Sequence, residues 1–119
     1  VAERYWVGGT NSWDAIAGTK WALTSGGTGG QTVPTSADNV YFDVSSGAST
    51  ITMSVSNCLN LNYTGFTGTL IGTNGTIIVS GSITLSNTMT ISTANLHWTF
   101  SGSILQNITS AGKSFDKIT

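Results

Sequence analysis

The sequence predicts an all-β solenoid, a right-handed parallel β-helix with an aromatic N-terminal cap. Three observations carry that expectation. Three of the four tryptophans, Trp6, Trp13 and Trp21, fall within the first 21 residues. The rest of the chain is Thr, Ser, Gly and Asn threaded with short β-branched runs. Those runs return at roughly 19 residues, within the range of one solenoid rung, and a rung cannot bury its apolar face without a neighbour.

Residues 1–36 read as the cap and a Gly-rich loop, and residues 37–119 as the rungs. Each cap indole can bury about 150–250 Å², so Trp6, Trp13 and Trp21 suit a compact plug over the first rung. Helix signals are almost absent. The best candidate, Ser12 to Ala17, is a single turn that Gly18 would end. Ser25 to Thr32 (Ser-Gly-Gly-Thr-Gly-Gly-Gln-Thr) is expected to be a flexible loop, because so much glycine holds no regular element. Pro34 then fixes the backbone ahead of a strand starting at Ala37-Asp38.

From Val40 onward two series of apolar clusters alternate. One runs Val40-Tyr41-Phe42, Leu59-Asn60-Leu61, Ile77-Ile78-Val79, Leu96-His97-Trp98 and Phe115 to Ile118. The other runs Ile51-Thr52-Met53, Leu70-Ile71, the pairs Ile83/Leu85 and Met89/Ile91, then Ile104-Leu105 and Ile108. The spacing places Leu59, Ile78, Leu96 and Phe115 in register on successive coils. Gly65, Gly75, Gly81, Gly102 and Gly112 fall between clusters and are expected to supply left-handed corners. Alternation within a run, as in Leu59-x-Leu61-x-Tyr63, turns one side inward and leaves Thr, Asn or Ser outside. An antiparallel β-sandwich would also show short strands at 8–12-residue spacing. The constant order of features in each repeat favours the solenoid.

Composition excludes several functions. Only 8% of the residues are charged and the net charge is −1, whereas about 25% is typical. Arg4, Lys20, Lys113 and Lys117 are scattered, so there is no basic stripe of the kind that neutralises phosphates, and no nucleic-acid partner is expected. No apolar run approaches the roughly 18 residues of a membrane span. No signal peptide opens the chain, so either one has been removed or the protein reaches its site by assembly from the cytoplasm. The one cysteine, Cys58, builds neither an intramolecular disulfide nor a thiolate metal site, and reads as a small buried apolar residue.

One long segment is distinctive: Tyr5-Trp6-Val7-Gly8-Gly9, Trp13-Asp14, Lys20-Trp21, then Val33-Pro34-Thr35-Ser36-Ala37-Asp38-Asn39-Val40-Tyr41-Phe42-Asp43. It resembles the opening module of tailed-phage virion structural proteins of the tail-fibre or spike kind. It is also similar to the module that precedes the β-helix of autotransporter-like bacterial adhesins. Lys20 stands where that pattern often carries Asn. Gly81 to Leu85 and Ile108 to Thr119 look like rungs of the same phage proteins. The resemblance implies a structural role and, through aromatic side chains, contact with cell-surface glycans, for which Tyr5 and Tyr63 are the candidates.

No chemistry is organised in the sequence. The acids are Glu3, Asp14, Asp38, Asp43 and Asp116. Glycoside hydrolysis needs two carboxylates about 5–9.5 Å apart across a groove. Asp38 and Asp43, five apart on an alternating strand, would point to opposite sides. Asp14 and Asp38 fit better as turn acceptors for backbone N–H groups. His97 has no second ligand or acid beside it, and Gly26-Gly27-Thr28-Gly29-Gly30 lacks the helix and Lys of a phosphate loop. Asn-x-Thr triplets at Asn62, Asn74 and Asn107 arise by chance in so Thr-rich a chain.

These readings converge on a non-enzymatic structural protein of a virion, without metal or cofactor, in a fibre, spike, surface appendage or capsid decoration. A secreted adhesin passenger, or the stem of a depolymerase tailspike, are the alternatives. Lys113 to Thr119 begins a rung that nothing in the sequence closes. The expected partners are therefore other virion proteins or copies of the same chain, a homotrimer being favoured, unless the chain is part of a longer one.

Overall fold

The computed structural model describes residues 1–92 and 95–119. Among the described residues twelve short strands follow one another: β1 (Glu3–Trp6), β2 (Asn11–Trp13), β3 (Trp21–Ala22), β4 (Asn39–Tyr41), β5 (Thr50–Cys58) and β6 (Leu61–Asn62). Then come β7 (Thr69–Val79), β8 (Ile83–Thr84), β9 (Thr90–Ile91), β10 (Leu96–Phe100), β11 (Ile108–Thr109) and β12 (Lys117–Ile118). They stack as a parallel β-helix of about four turns. One sheet runs β11-β8-β6-β4-β1-β3 and the other β12-β10-β7-β5-β2, with β9 beside β7. Every pairing is parallel except β1 with β3, which excludes the sandwich.

The second sheet bends. Met53 pairs with Gly72, but Val55 already pairs with Thr76, so the register shifts between Met53 and Val55. Each turn therefore has three faces: the first sheet, then the two limbs of β5 and β7. At the bend Asn74 has φ 61°, and Asn95, one turn on, has φ 60°. Asparagine tolerates this left-handed conformation better than other side-chain-bearing residues.

The repeat differs from the expected one. Val40 pairs with Leu61 and Leu61 with Ile83 on the first sheet; Cys58 pairs with Val79 and Val79 with Phe100 on the third face. These steps are 21 or 22 residues. The 19-residue step holds only where Ile51 meets Leu70. Leu59, Ile78, Leu96 and Phe115 are not in register: Ile78 pairs with Asn57 and Thr99, and Leu96 with Gly75. The expected series mixes clusters that lie on different faces.

Corners also depart from expectation. Gly65 and Gly112 do adopt positive φ. Gly75 does not; it is needed because a Cβ there would collide with the Met53 carbonyl of the turn below. No helical turn spans Ser12 to Ala17, since Asn11–Trp13 is drawn into the second sheet beside β5. Val44–Ser46 is a short 3₁₀ turn, capped by the Asp43 carboxylate. No helix among the described residues is long and apolar enough to cross a membrane.

The core is an internal column of stacked side chains. Val40, Leu61 and Ile83 follow one another on the first sheet, and Ile77 lies under Trp98 on the third face. At the N-terminal end Trp6, Trp13 and Trp21 are all fully buried. Phe42 sits among them, 5.5 Å from the Trp6 ring, 5.8 Å from Trp13 and 6.1 Å from Trp21. The segment 1–36 thus builds more than a plug: β1 and β2 join both sheets, and antiparallel β3 seals the outer edge of β1. Residues 25–32 form no regular element, as expected.

Arg4 faces inward at this end, in register with Val40, and is buried. Its guanidinium donates to the Thr32 carbonyl (2.9 Å), the Thr32 hydroxyl (2.8 Å) and the Glu3 carbonyl (2.9 Å). A buried cation is tolerable only when its donors are met in this way. The Gly-rich segment is thereby tied across the end of the column.

Candidate functional site

The acids lie where backbone donors need them. Asp14 Oδ1 accepts from the Ile16 N–H at 2.9 Å and from Lys20 Nζ at 3.0 Å. The Ile16 hydrogen bond, with Lys20 beside it, holds the Asp14 carboxyl below its usual range. Asp38 Oδ2 accepts from Thr35 N–H at 2.8 Å, and Oδ1 from Ala2 N–H at 3.3 Å. Burial pushes the Asp38 pKa up, but those bonds and the nearby Arg4 outweigh it and the net shift is downward. Asp43 caps the 3₁₀ turn through Ser45 N–H at 3.0 Å.

His97, Asp116 and Lys117 meet at one corner. A groove of about 270 Å³ opens where the second and third faces join, lined by Asn74, Thr76, Asn95, His97, Asp116 and Lys117. β10 places His97 outward between buried Leu96 and Trp98, as the alternation predicts. Its cross-strand partner is Lys117, and its Nε2 lies 2.6 Å from Thr119 Oγ1. One imidazole, one ammonium and one carboxylate on an open corner make a polar contact surface. Among the described residues no group of three or more His, Cys, Asp or Glu gathers around one point. Cys58 is buried, and burial pushes its thiol up to about 12. That is the signature of a packing residue, since the thiolate is the reactive form.

The two tyrosines proposed for sugar contact have different fates. Tyr63 is fully buried, stacked under Phe42 at 4.8 Å, and offers nothing to a ligand. It follows Leu61 at the end of its strand, on the inward side of the alternation, so its parity with buried Leu61 points it into the core. Tyr5 is partly exposed on the outer side of the first sheet. There it stacks on Tyr41, its register partner on β4, with centroids 4.5 Å apart and planes 14° from parallel. Tyr41, in turn, donates its hydroxyl to Glu3 Oε1 at 3.2 Å. Burial, with Glu3 alongside, keeps that phenol above its ordinary value of 10.0.

Sequence reasoning missed Tyr41 as a surface residue. The signal was present: Val40 and Phe42 are both apolar, so Tyr41 between them must face out. Neither a protein-family model, nor a curated protein, nor a solved structure matches this chain.

Proposed function

We propose that the chain is a non-enzymatic structural module of a tailed-phage particle, in a fibre, spike, surface appendage or capsid decoration, with host-surface attachment as a second role. The observation that supports it is the unbroken pair of parallel ladders, β1 to β11 and β2 to β12, over a column of apolar side chains. Such a coil transmits load along its axis, because each turn is joined to the next by backbone hydrogen bonds and stacked side chains. The carboxylates Asp14, Asp38 and Asp43 serve turns and caps rather than a groove. The resemblance of the Tyr5 to Asp43 segment to virion proteins supplies the setting.

Association belongs to the same reading. Ile104, Leu105, Ile108 and Ile118 are exposed on the last turn, and β11 and β12 are the outermost strands of their sheets. An unpaired apolar edge is a pairing surface. A further turn of the same chain, another virion protein, or further copies of the chain as a trimer would cover it. Proteomics of purified particles tests the setting: the chain should copurify with capsid or tail proteins. Its recovery instead from a bacterial outer surface, joined to a membrane barrel, would replace the phage reading with the adhesin one. Sedimentation tests the association: Ile108→Lys with Ile118→Lys should shift an oligomer toward monomer, and a wild-type monomer would overturn it.

A further inference from the structure

We infer that the outer face of the first sheet carries a binding ledge for one ring of a neutral oligosaccharide, with Tyr41 as its wall and Asn62 and Thr84 as its floor. The order of residues along the stack creates the step. Tyr5, Tyr41, Asn62, Thr84 and Thr109 are successive partners across β1, β4, β6, β8 and β11. Two tall aromatic side chains are thus followed by three short polar ones.

The wall is held in position. The Tyr5–Tyr41 centroid separation of 4.5 Å is close to the strand spacing of about 4.7–4.9 Å, so both rings stand across the stacking direction. One face of Tyr41 is covered by Tyr5, and the other looks along the sheet toward β6. The Glu3 carboxylate fixes the Tyr41 hydroxyl. With its O–H donated in a hydrogen bond to Glu3, that oxygen still accepts a bond from a ligand hydroxyl.

The floor is kept low. Asn62 Oδ1 accepts from Thr64 N–H (2.9 Å) and Thr64 Oγ1 (2.6 Å), which ties the carboxamide down toward Thr64 of its own segment. Its Nδ2 donors and the Thr84 hydroxyl have no hydrogen-bond partner among the described residues, and both side chains are partly exposed. A flat apolar wall at right angles to a floor of amide and hydroxyl groups matches a pyranose, which has a C–H face and a rim of hydroxyls. Charge narrows the choice. No cation lies among the ledge residues, and the Glu3 carboxylate beside the wall disfavours uronic or sialic acids. The ligand class is therefore neutral hexose or N-acetylhexosamine.

The ledge gives the attachment role its contact surface and rests on that reading for the biological source of the sugar. Its test uses purified chain without particles, so either can fail alone. The chain is titrated with maltoheptaose, cellopentaose and chitotetraose, and with a galacturonate oligomer as the anionic comparison, while NMR follows Tyr41 ring, Asn62 amide and Thr84 methyl signals. At least one neutral probe should give saturable shifts at all three residues. Asn62→Tyr, which would extend the ring stack and cover the wall, should weaken that binding at least about tenfold while the thermal midpoint holds. If Asn62→Tyr does not fold, Tyr41→Ser removes the wall and should have the same effect. Absence of saturable shifts with every neutral probe, tighter binding of the galacturonate, shifts confined to the His97 groove, or undiminished affinity in the folded variant would overturn the ledge.

Discussion

Phe42 and Tyr63, one turn apart, stack inside the coil with centroids 4.8 Å apart and planes 21° from parallel. Phe66 closes against both, 5.5 Å from Phe42 and 5.7 Å from Tyr63. The phenol of Tyr63 is completely buried and its oxygen has no hydrogen-bond partner. Desolvation therefore holds its pKa well above 10.0. An unpaired buried hydroxyl costs stability, whereas the ring around it contributes. Tyr63→Phe should raise stability by on the order of 1 kcal/mol in urea unfolding. A loss of that size would mean the hydroxyl is bonded in solution.

Trp6 tests the cap. Its indole packs edge-on to Trp21 at 5.1 Å, stacks on Phe42 at 5.5 Å, and donates Nε1–H to the Gly9 carbonyl at 3.0 Å. Trp6→Ala should cost about 3–5 kcal/mol, the range for deleting a large buried aromatic. Chemical denaturation of the purified variant reads it directly. A cost below about 1 kcal/mol would show that the plug is dispensable.

Gly75 tests the contact between turns. Alanine there would place a Cβ against the Met53 carbonyl, a backbone atom with little room to yield. Gly75→Ala should destabilise by about 1–3 kcal/mol through overpacking, and the bend beside Asn74 should lose amide-exchange protection. Unchanged exchange and an unchanged midpoint would show that the turns can move apart at no cost.

Acid should weaken the cap. The carboxyls of Asp14 and Asp38 both sit below their unperturbed 3.8 in the fold. A depressed folded pKa contributes stability above the unfolded value and loses it as pH falls through the folded one. The thermal midpoint should therefore drop as pH falls below 3.8. Asp38→Asn should be less stable than wild type near neutrality, and the gap should close in acid. A gap that is constant across pH would assign the loss to something other than the carboxylate charge.

The fold class was legible because stacked rungs need both a repeating apolar run and a place to turn, and the chain displays both. The register was not. Ile77-Ile78-Val79 looks like a successor of Val40-Tyr41-Phe42, yet they lie on different faces. With three faces per turn and loops of unequal length, as between Ile83 and Ile108, apolar spacing alone does not say which face a cluster joins. Inside and outside were easier where period-two alternation was followed, as for Trp98 in and His97 out; the same rule turns Tyr63 inward, against the glycan contact expected of it. The ledge was hidden for a further reason. It depends on Tyr5 meeting Tyr41, and on Asn62 being the next partner, across the long excursion of residues 7–38.

The one antiparallel pairing has a consequence for how the molecule is made. Because β3 occupies the far edge of β1, β4 can add only on the other side, and each later turn can dock only onto the one before it. The aromatic plug leaves the ribosome before the rungs that follow it, so their growth has a finished starting surface and a single direction. Folding should be vectorial, advancing in step with translation, and a stalled chain should already hold a protease-resistant N-terminal stub.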